Sequence, residues 1–233
     1  MSITAAQGFR AAGVAAGIKA SGRADLALVV NQGPRFDAAG VFTSNRVFAA
    51  PVAWSRQALA DGRLQAVVLN SGGANACTGR EGYQDTVATA HRVASAVGCD
   101  PEAVGVCSTG LIGVRLPMEA LLAGVDQAHL VLADDGGDDA ARAIMTTDTV
   151  PKQASVQGVG GYTIGGMAKG AGMLAPALAT MLVVLTTDAV IDSPTLQASL
   201  EQATALTFDR IDSDGCMSTN DTVLLLASGA SGF

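Results

Sequence analysis

Residues 165–187 have the sequence GGMAKGAGMLAPALATMLVVLTT, and this segment indicates both the fold and the chemistry of the chain. It begins as a glycine-rich loop around Lys169 and continues as an apolar run of strand length that contains one hydroxyl, on Thr180. A lysine among apolar residues and glycines is partly desolvated, which favours a shifted pKa. The segment therefore predicts a buried strand that begins near a candidate functional lysine.

Thr180 follows Ala179, a small residue, in the middle of this segment. An N-terminal-nucleophile enzyme requires such a threonine, because an N→O acyl shift at the Ala179–Thr180 bond would free the α-amine of Thr180. That amine, with an ordinary pKa of about 8, can act as the general base for the hydroxyl of the same residue. The alternative is a threonine that is merely packed within a strand.

Apolar and amphipathic segments on both sides of this stretch predict alternating strands and helices. Short apolar runs predict strands at residues 25–31, 40–43, 50–54, 65–70, 103–107 and 222–227, and residues 158–169 are strand-like. Helical spacing predicts helices at residues 83–97, 117–128, 140–145 and 193–208. Alternation of this kind predicts a layered α/β or α+β fold.

Three further segments could carry chemistry. NSGGANACTG at residues 70–79 can bring backbone amides close to a ligand, although a tight strand-to-helix turn explains it as well. CSTGLIG at residues 107–113 can direct a hydroxyl and a backbone N–H into one space, as an oxyanion hole requires, or it is a capped turn. MTTDTVPK at residues 145–152 can bind the carboxylate or amine of a small ligand, or it is a solvent-exposed turn.

The composition excludes several classes of protein. The 233 residues carry a formal net charge of −7, with 49% hydrophobic and 15% charged residues. Disordered chains have the opposite balance, and an acidic chain is poorly suited to nucleic acid or to an anionic membrane surface. The two histidines, His91 and His129, lie in predicted helices, which argues against a histidine-rich metal site or a histidine-based triad. A shortage of histidine suits a nucleophile that carries its own base.

The N-terminus and the cysteines indicate a reducing compartment. The first residues lack a long apolar run behind a basic start, so no secretory signal is predicted. The four cysteines show no CxxC spacing. The most apolar run, residues 173–185, is shorter than a membrane span and is interrupted by Pro176 and Thr180. We therefore expect a cytoplasmic protein.

Six segments resemble, in order, one family: the bifunctional glutamate N-acetyltransferases of arginine biosynthesis, also called ornithine acetyltransferases. They extend from Gly8 to Gly229 and cover almost the whole chain. They are GFRAAGVAAGIKASGRADLALV, NSGGANACTG, CSTGLIGVRLPM, AIMTTDTVPK, GGMAKGAGMLAPALATMLVVLTTDA and DSDGCMSTNDTVLLLASG. Each motif is moderately specific, and six in order strongly indicate the family.

The resemblance implies a precursor that cleaves itself between Ala179 and Thr180. Residues 1–179 would form the α chain and residues 180–233 the first part of the β chain, within one structural domain. Thr180 would be the nucleophile of a ping-pong reaction that moves an acetyl group from N-acetylornithine to glutamate. No metal or bound cofactor is implied, and acetyl-CoA is considered as a second acetyl donor. The implied fold is a four-layer α/β/β/α sandwich, and the implied assembly is α2β2.

The resemblance also implies roles for individual residues. Thr109, through its hydroxyl, and Gly110, through its backbone N–H, match the oxyanion-hole pair of the family, and Lys169 matches a substrate-contacting lysine. Thr146 or Thr147 matches a substrate-contacting threonine, and the choice between them is open. A glutamate, an asparagine and a threonine that bind substrate in the family have no counterpart before Phe233. We therefore expect this sequence to be an incomplete part of the enzyme.

Two other functions are open at this point. Related self-cleaving sandwiches serve as amidases and aminopeptidases, in which water replaces glutamate as the acyl acceptor. An inactive fragment that associates through an exposed apolar strand, such as residues 223–226, is the second alternative. Dependence of acetyl loss on glutamate would separate transfer from hydrolysis, and an absence of turnover would indicate the fragment.

Overall fold

The computed structural model describes residues 2–171, 180–211 and 216–233, in which two β-sheets pack between layers of helices. The described elements, in chain order, are β1 (Phe9–Val14), β2 (Leu26–Asn31), β3 (Asp37–Phe42), α1 (Ala50–Ala58), β4 (Ala66–Gly73), α2 (Gly79–Val97), β5 (Val104–Leu111), α3 (Met118–Leu130), α4 (Gly137–Ala143), β6 (Lys152–Gln157), β7 (Thr163–Lys169), β8 (Leu182–Thr187), α5 (Ser193–Leu206) and β9 (Thr222–Ala227). Strands and helices alternate along much of the chain, as the sequence predicts.

The two sheets combine antiparallel neighbours with one parallel pair each. The first sheet has the order β1-β2-β4-β5, in which only β4 and β5 are parallel. The second has the order β3-β9-β8-β7-β6, in which only β8 and β9 are parallel. Parallel neighbours need a crossover connection, and α2 and α5 lie in the two crossovers. The carboxyl ends of β4 and β5, together with the starts of β8 and β9, form the candidate site described below.

The alternation of side chains along β8 shows how the layers pack. Leu182 and Val184 lie in the core between the two sheets, whereas Val183 packs on the other face with Leu196 and Leu200 of α5. A strand covered on both faces is apolar at every position, which explains the continuous run LVVL. With α1, α2 and α3 against the first sheet, the predicted four-layer α/β/β/α sandwich is confirmed.

Local sequence signals set the helix boundaries. α5 begins after Asp192, whose carboxylate accepts a hydrogen bond from the backbone N–H of Thr195 at 2.9 Å, as the predicted cap requires. α2 ends at Gly98, which adopts the left-handed conformation that favours glycine. Among the helices of the described residues, none combines the length and the apolar character needed to cross a membrane.

Two expectations about individual elements were wrong, and two strands were not predicted. Residues 50–54 form the start of α1 rather than a strand, because Pro51 lies at the first helical turn and the buried positions Val52, Ser55 and Ala58 follow helical spacing. The segment 158–169 is not one strand: a turn precedes β7. Strands β1 and β6 were not predicted at all.

Candidate functional site

Strand ends from both sheets meet at one edge of the sandwich. β4 and β5 are parallel, so their carboxyl ends lie together, and Thr109 and Gly110 are among the last three residues of β5. In the second sheet, Lys169 at the end of β7 is opposite Leu182 at the start of β8, two residues after Thr180. β9 begins at the same edge, because it runs parallel to β8. The predicted site residues from three distant segments therefore lie at a common edge.

Asn220 joins the two sheets at this edge. Its side chain is 1% exposed, and its Nδ2 donates to the backbone oxygens of Ala74, at 2.7 Å, and Ser108, at 2.9 Å. Both acceptors belong to buried residues of the first sheet or of the loop after it, whereas Asn220 immediately precedes β9 in the second. The side-chain amide of Asn220 thus holds the start of β9 against the carboxyl ends of β4 and β5.

Lys169 contacts Thr109 across the interface between the sheets. The Lys169 Nζ donates to Thr109 Oγ1 at 3.2 Å, and both side chains are buried. An ammonium has only donors, so the Thr109 hydroxyl is the acceptor in this bond and its own proton is left to point elsewhere. The contact therefore orients the Thr109 hydroxyl as a hydrogen-bond donor, which is the role that an oxyanion hole needs.

The ammonium of Lys169 is held in an environment of low polarity. Burial lowers the pKa of Lys169 to about 8, although the carboxylates of Asp148 and Asp221 act in the opposite direction. With this pKa the side chain carries its charge near neutral pH and loses it in the mildly alkaline range. The sequence-based expectation of a shifted lysine pKa agrees with this environment.

Asp148 organises the loop between α4 and β6. Its carboxylate accepts backbone hydrogen bonds from Thr146, at 3.2 Å, and Gly170, at 2.9 Å, and forms an ion pair with Lys152. Although burial acts to raise the pKa of Asp148, the hydrogen bond from Lys152 and the two backbone bonds hold it below its ordinary value. The charge of Asp148 also acts on Lys19 and Lys169, so all three lysines of the sequence surround this carboxylate.

The two candidate threonines of this loop differ in their surroundings. The side chain of Thr147 is exposed, whereas the hydroxyl of Thr146 is buried and has no hydrogen-bond partner among the described residues. A buried hydroxyl without a partner costs free energy, and a bound ligand could supply the missing bond. The structure therefore favours Thr146 over Thr147 as the residue that could contact a ligand.

Thr180 is buried at the entrance to β8. Its side chain is 6% exposed, and its Oγ1 lies 2.9 Å from the Oγ of Ser218. The following backbone N–H, of Met181, donates to Asp221 Oδ1 at 2.8 Å, which holds the chain beside Thr180 against the start of β9. Ala179, the other residue of the predicted cleavage site, lies outside the described residues.

Gly110 occupies a position that no other residue could take without strain. Its φ is +131°, in the range that favours glycine. A Cβ at this position would also lie 2.5 Å from the carbonyl carbon of Gly72 and 2.6 Å from the nitrogen of Gly73 on the neighbouring strand. The absence of a side chain thus allows β4 and β5 to approach closely where their carboxyl ends enter the site.

Cys107 is not a competing nucleophile in the CSTGLIG segment. Its thiol is 2% exposed, and burial raises its pKa to about 12. A thiol rather than a thiolate is therefore present near neutral pH, and a thiol is a poor nucleophile. The hydroxyl of Thr109, which follows two residues later, is the group of this segment that reaches another candidate residue.

Two other features of the described residues are separate from this edge. A cavity of about 580 Å³, lined by Phe42, Arg56, Asp192 and Ser193 among others, contains none of the candidate residues. Residues 2–171, 180–211 and 216–233 also include no group of three histidine, cysteine or acidic side chains that could hold a metal ion.

Sequence reasoning missed four residues of the site: Asp148, Ser218, Asn220 and Asp221. Three of them belong to the quoted segment DSDGCMSTNDTVLLLASG, where polar residues directly precede a buried strand. That position was the available signal, because residues before a parallel strand lie at a sheet edge. Ser218 contacts Thr180, and Asn220 contacts Ala74, across more than 30 residues of sequence, and no local pattern indicates such contacts.

Comparison with known proteins gives concordant matches. A family model described as the ArgJ family matches residues 10–232. The arginine biosynthesis bifunctional protein ArgJ of Streptomyces coelicolor is 66% identical over 232 residues, covering 100% of this chain and 60% of that protein. The protein of the same name from Mycobacterium tuberculosis is 63% identical over 238 residues, covering 98% of this chain and 58% of that protein. The chain thus spans about 60% of the length of these curated relatives.

Solved structures show the same fold. A structure of ornithine acetyltransferase complexed with ornithine, from Mycobacterium tuberculosis, aligns with a TM-score of 0.73 and 61% identity over 76% of this chain and 96% of that chain. An ArgJ structure from Bacillus halodurans aligns with a TM-score of 0.67 and 37% identity, over 78% of this chain and 95% of that one. A Pyrococcus horikoshii protein, 12% identical with a TM-score of 0.57, shares the fold alone.

Proposed function

Because this chain belongs to the ArgJ family, we propose that it carries the catalytic threonine of a self-cleaving enzyme that transfers an acetyl group from N-acetylornithine to glutamate. The names of its relatives support a role in arginine biosynthesis. The ornithine in the Mycobacterium tuberculosis complex supports ornithine derivatives as ligands. The main observation in support of the proposal is the 3.2 Å hydrogen bond from Lys169 to Thr109, because it brings two candidate residues together at the edge where Thr180 lies.

Cleavage between Ala179 and Thr180 is supported by the lengths of the related chains. The alignment with the solved chain from Mycobacterium tuberculosis includes 76% of the 233 residues of this chain and 96% of the solved chain. The solved chain therefore has about 185 residues. The curated relative from that organism, of which 238 aligned residues are 58%, has about 410. A solved chain of less than half that length is close to the 179 residues that precede Thr180. Residues 1–179 and 180–233 would then belong to an α and a β chain of one domain.

The hydroxyl of Thr180 is the proposed nucleophile. After cleavage its free α-amine accepts the hydroxyl proton, and Oγ1 attacks the acetyl carbonyl of N-acetylornithine. The tetrahedral intermediate collapses with transfer of the proton to the leaving amine, which releases ornithine and leaves an acetyl-threonine ester. The amine of glutamate then attacks the ester by the reverse path. The position of Thr180 supports this role, because it lies at the edge of the sandwich where Lys169 contacts Thr109.

Thr109 and Gly110 are the proposed oxyanion hole. The Thr109 hydroxyl, oriented by Lys169, and the Gly110 backbone N–H would both donate to the oxygen that becomes negative in each tetrahedral intermediate. The nearby ammonium of Lys169 adds a positive charge on the same side and would also orient the substrate carboxylate. Thr146, with its unpartnered hydroxyl, is the proposed threonine contact to substrate.

The remaining partners follow from the family resemblance. We expect N-acetylornithine and glutamate as the principal substrates, with acetyl-CoA tested as a second acetyl donor. We also expect an α2β2 assembly of the cleaved chains in the cytoplasm. The oligomeric state is measured by light scattering on the protein at its natural length.

Intact-mass analysis of the purified protein tests the cleavage. We expect two fragments that separate before Thr180 in the wild type and a single uncut chain in Thr180→Ala. Thr187→Ala is the matched control. Thr187 is also a buried threonine, but it lies at the far end of β8 from Thr180. Two fragments from Thr180→Ala would contradict self-cleavage by this residue.

The acyl acceptor is tested by following ornithine release from N-acetylornithine with and without glutamate. Release that requires glutamate, together with formation of N-acetylglutamate, supports the transferase. Release at the same rate without glutamate would indicate an amidase instead. No release by a fully cleaved protein at its natural length would contradict both activities.

A further inference from the structure

Self-cleavage poses a chemical problem that the transfer mechanism does not solve. In the uncut chain the nitrogen of Thr180 belongs to a peptide bond, and an amide nitrogen has no basic lone pair. The Thr180 hydroxyl must therefore lose its proton to another group before any free amine exists. The question of which group accepts that proton rests on the proposed function, because it arises only if the chain cuts itself.

Among the residues that the structure describes, Ser218 is the side chain that contacts the Thr180 hydroxyl. The two hydroxyl oxygens are 2.9 Å apart, and Ser218 is 8% exposed. The backbone N–H of Asn220 donates to the same Ser218 Oγ at 3.0 Å, and the Ser218 backbone oxygen accepts from Thr43 Oγ1 at 2.7 Å. Ser218 is thus held from two sides, with its hydroxyl directed at the atom that must be deprotonated.

Asp221 completes a chain of polar groups that leads away from Thr180. Burial raises the pKa of Asp221 above its ordinary value, although hydrogen bonding from the backbone N–H of Met181 and from Ser218 acts in the opposite direction. A raised pKa makes the carboxylate a stronger base than an exposed aspartate. Within residues 2–171, 180–211 and 216–233, the charged side chain that acts on Asp221 is Lys169, whose ammonium favours the ionised carboxylate.

Counting protons gives one consistent set of directions for these bonds. A hydroxyl has one proton to donate and two lone pairs to accept. If Ser218 donates to Asp221, its two lone pairs accept from the backbone N–H of Asn220 and from the hydroxyl of Thr180. Every capacity of Ser218 is then used, and the Thr180 proton lies along the bond to Ser218.

We propose that Ser218 relays the proton of Thr180 to Asp221 during self-cleavage. Thr180 Oγ1 forms a bond to the Ala179 carbonyl carbon, its proton passes to Ser218 Oγ, and the Ser218 proton passes to Asp221. The proton returns by the same path to the Thr180 nitrogen as the C–N bond breaks, which leaves an ester of Ala179 and a free amine. Water then hydrolyses this ester to a carboxylate and restores the Thr180 hydroxyl.

The other charged groups of the site are less suited to this task. The Lys169 ammonium is engaged with Thr109, and it carries its proton near neutral pH. The Asp148 carboxylate forms an ion pair with Lys152, and its pKa lies below the ordinary value, so it is a weaker base than Asp221. Asp221, by contrast, lies one residue from the start of β9 and binds the backbone directly after Thr180. Ser218 contacts the reacting atom, and Asp221 acts through it as a positioning residue and final proton acceptor.

The test is the rate of cleavage in the newly synthesised protein at its natural length, followed by intact mass over time. We expect Ser218→Ala and Asp221→Asn to cut at least about 10²-fold more slowly than the wild type, the usual contribution of a general base. Asparagine keeps the Oδ1 that accepts from Met181, so Asp221→Asn removes the base without removing this bond. Ser218→Thr restores a hydroxyl and is expected to recover most of the rate.

Thr43→Val separates the relay from simple support of the fold. It removes the hydrogen bond to the Ser218 backbone but leaves the Ser218 hydroxyl in place, so we expect a lower Tm and a cleavage rate near the wild type. Ser218→Ala and Asp221→Asn variants that cut at the wild-type rate would overturn the relay. The relay would also be overturned if the cleavage rate fell in proportion to the decrease in Tm in every variant, Ser218→Thr included. A wild type that never cuts, or a Thr180→Ala variant that still does, would instead overturn the proposed function.

Discussion

Lys169→Met tests whether Lys169 carries a buried charge that lowers the free energy of unfolding. Lys169 is 1% exposed, and burial lowers its pKa from 10.5 to about 8. Each unit of pKa corresponds to about 1.36 kcal/mol, so the charged side chain lowers the free energy of unfolding by about 3 kcal/mol near pH 7. Methionine has a similar length and no charge. We therefore expect the variant to be more stable by up to about 3 kcal/mol while acetyl transfer is lost.

The gain in stability has a defined dependence on pH. Below about pH 8 both the folded and the unfolded state hold the lysine proton, and the penalty of the buried charge is fully present. As the pH rises from about 8 toward 10.5, the unfolded state binds more protons than the folded state, so the wild type gains stability. The advantage of Lys169→Met is therefore expected to be greatest below pH 8 and to shrink toward pH 10.

Urea unfolding followed by circular dichroism, at a series of pH values, measures this difference. Both proteins carry Thr180→Ala so that they are compared as uncut chains. Lys152→Met is the matched control, because Lys152 also contacts Asp148 but has a side chain that is 43% exposed. If Lys169→Met is no more stable than its parent at pH 7, or if its advantage does not fall with rising pH, then Lys169 does not bury a charge.

Three further substitutions test the site and the fold. Thr109→Ala is expected to lower kcat by about 10²–10³ with little change in KM, because an oxyanion donor acts mainly in the transition state; a large rise in KM alone would contradict this role. Gly110→Ala should cost more than about 2 kcal/mol in urea unfolding, whereas Gly113→Ala, with positive φ but no atom near its Cβ, should cost less. Asn220→Ala leaves two buried backbone oxygens without this donor and should cost about 2–5 kcal/mol. Asn45→Ala, at a half-buried asparagine that bonds to the backbone of Met217, should lower Tm less, and equal losses in both asparagine variants would refute the role of Asn220 in joining the sheets.

Strands and helices with a local signature were predictable from the sequence. β8 and β9 each contain a continuous apolar run, LVVL and VLLLA, because each is covered on both faces, and α5 starts with an aspartate cap and a proline. β6 was missed because it is an edge strand with the sequence KQASVQ and mostly exposed side chains, so it has no apolar pattern. The residues of α1 look like a strand over five positions, and only the longer helical spacing of its buried residues distinguishes the two.

Candidate residues of the site divide in the same way. Lys169 and Thr180 were predicted because each stands out against glycines or apolar neighbours, whereas Thr109 was identified through the family resemblance of its segment CSTGLIG. Asp148 and Ser218 were missed because each lies in a polar segment, where a buried and an exposed side chain have the same local sequence. Their roles come from contacts between distant segments, such as the 38 residues that separate Thr180 from Ser218.

The sequence by itself determined the layered fold, the family resemblance and the residue types available for chemistry. These properties follow from local patterns of apolar, glycine and capping residues, which act over a few positions. Only the tertiary structure decided that Lys169 meets Thr109 and that Thr180 meets Ser218. It also decided the pKa of Lys169, because desolvation depends on what the whole fold packs around a side chain. The physical reason is that register and burial arise from contacts between strand ends far apart in the chain.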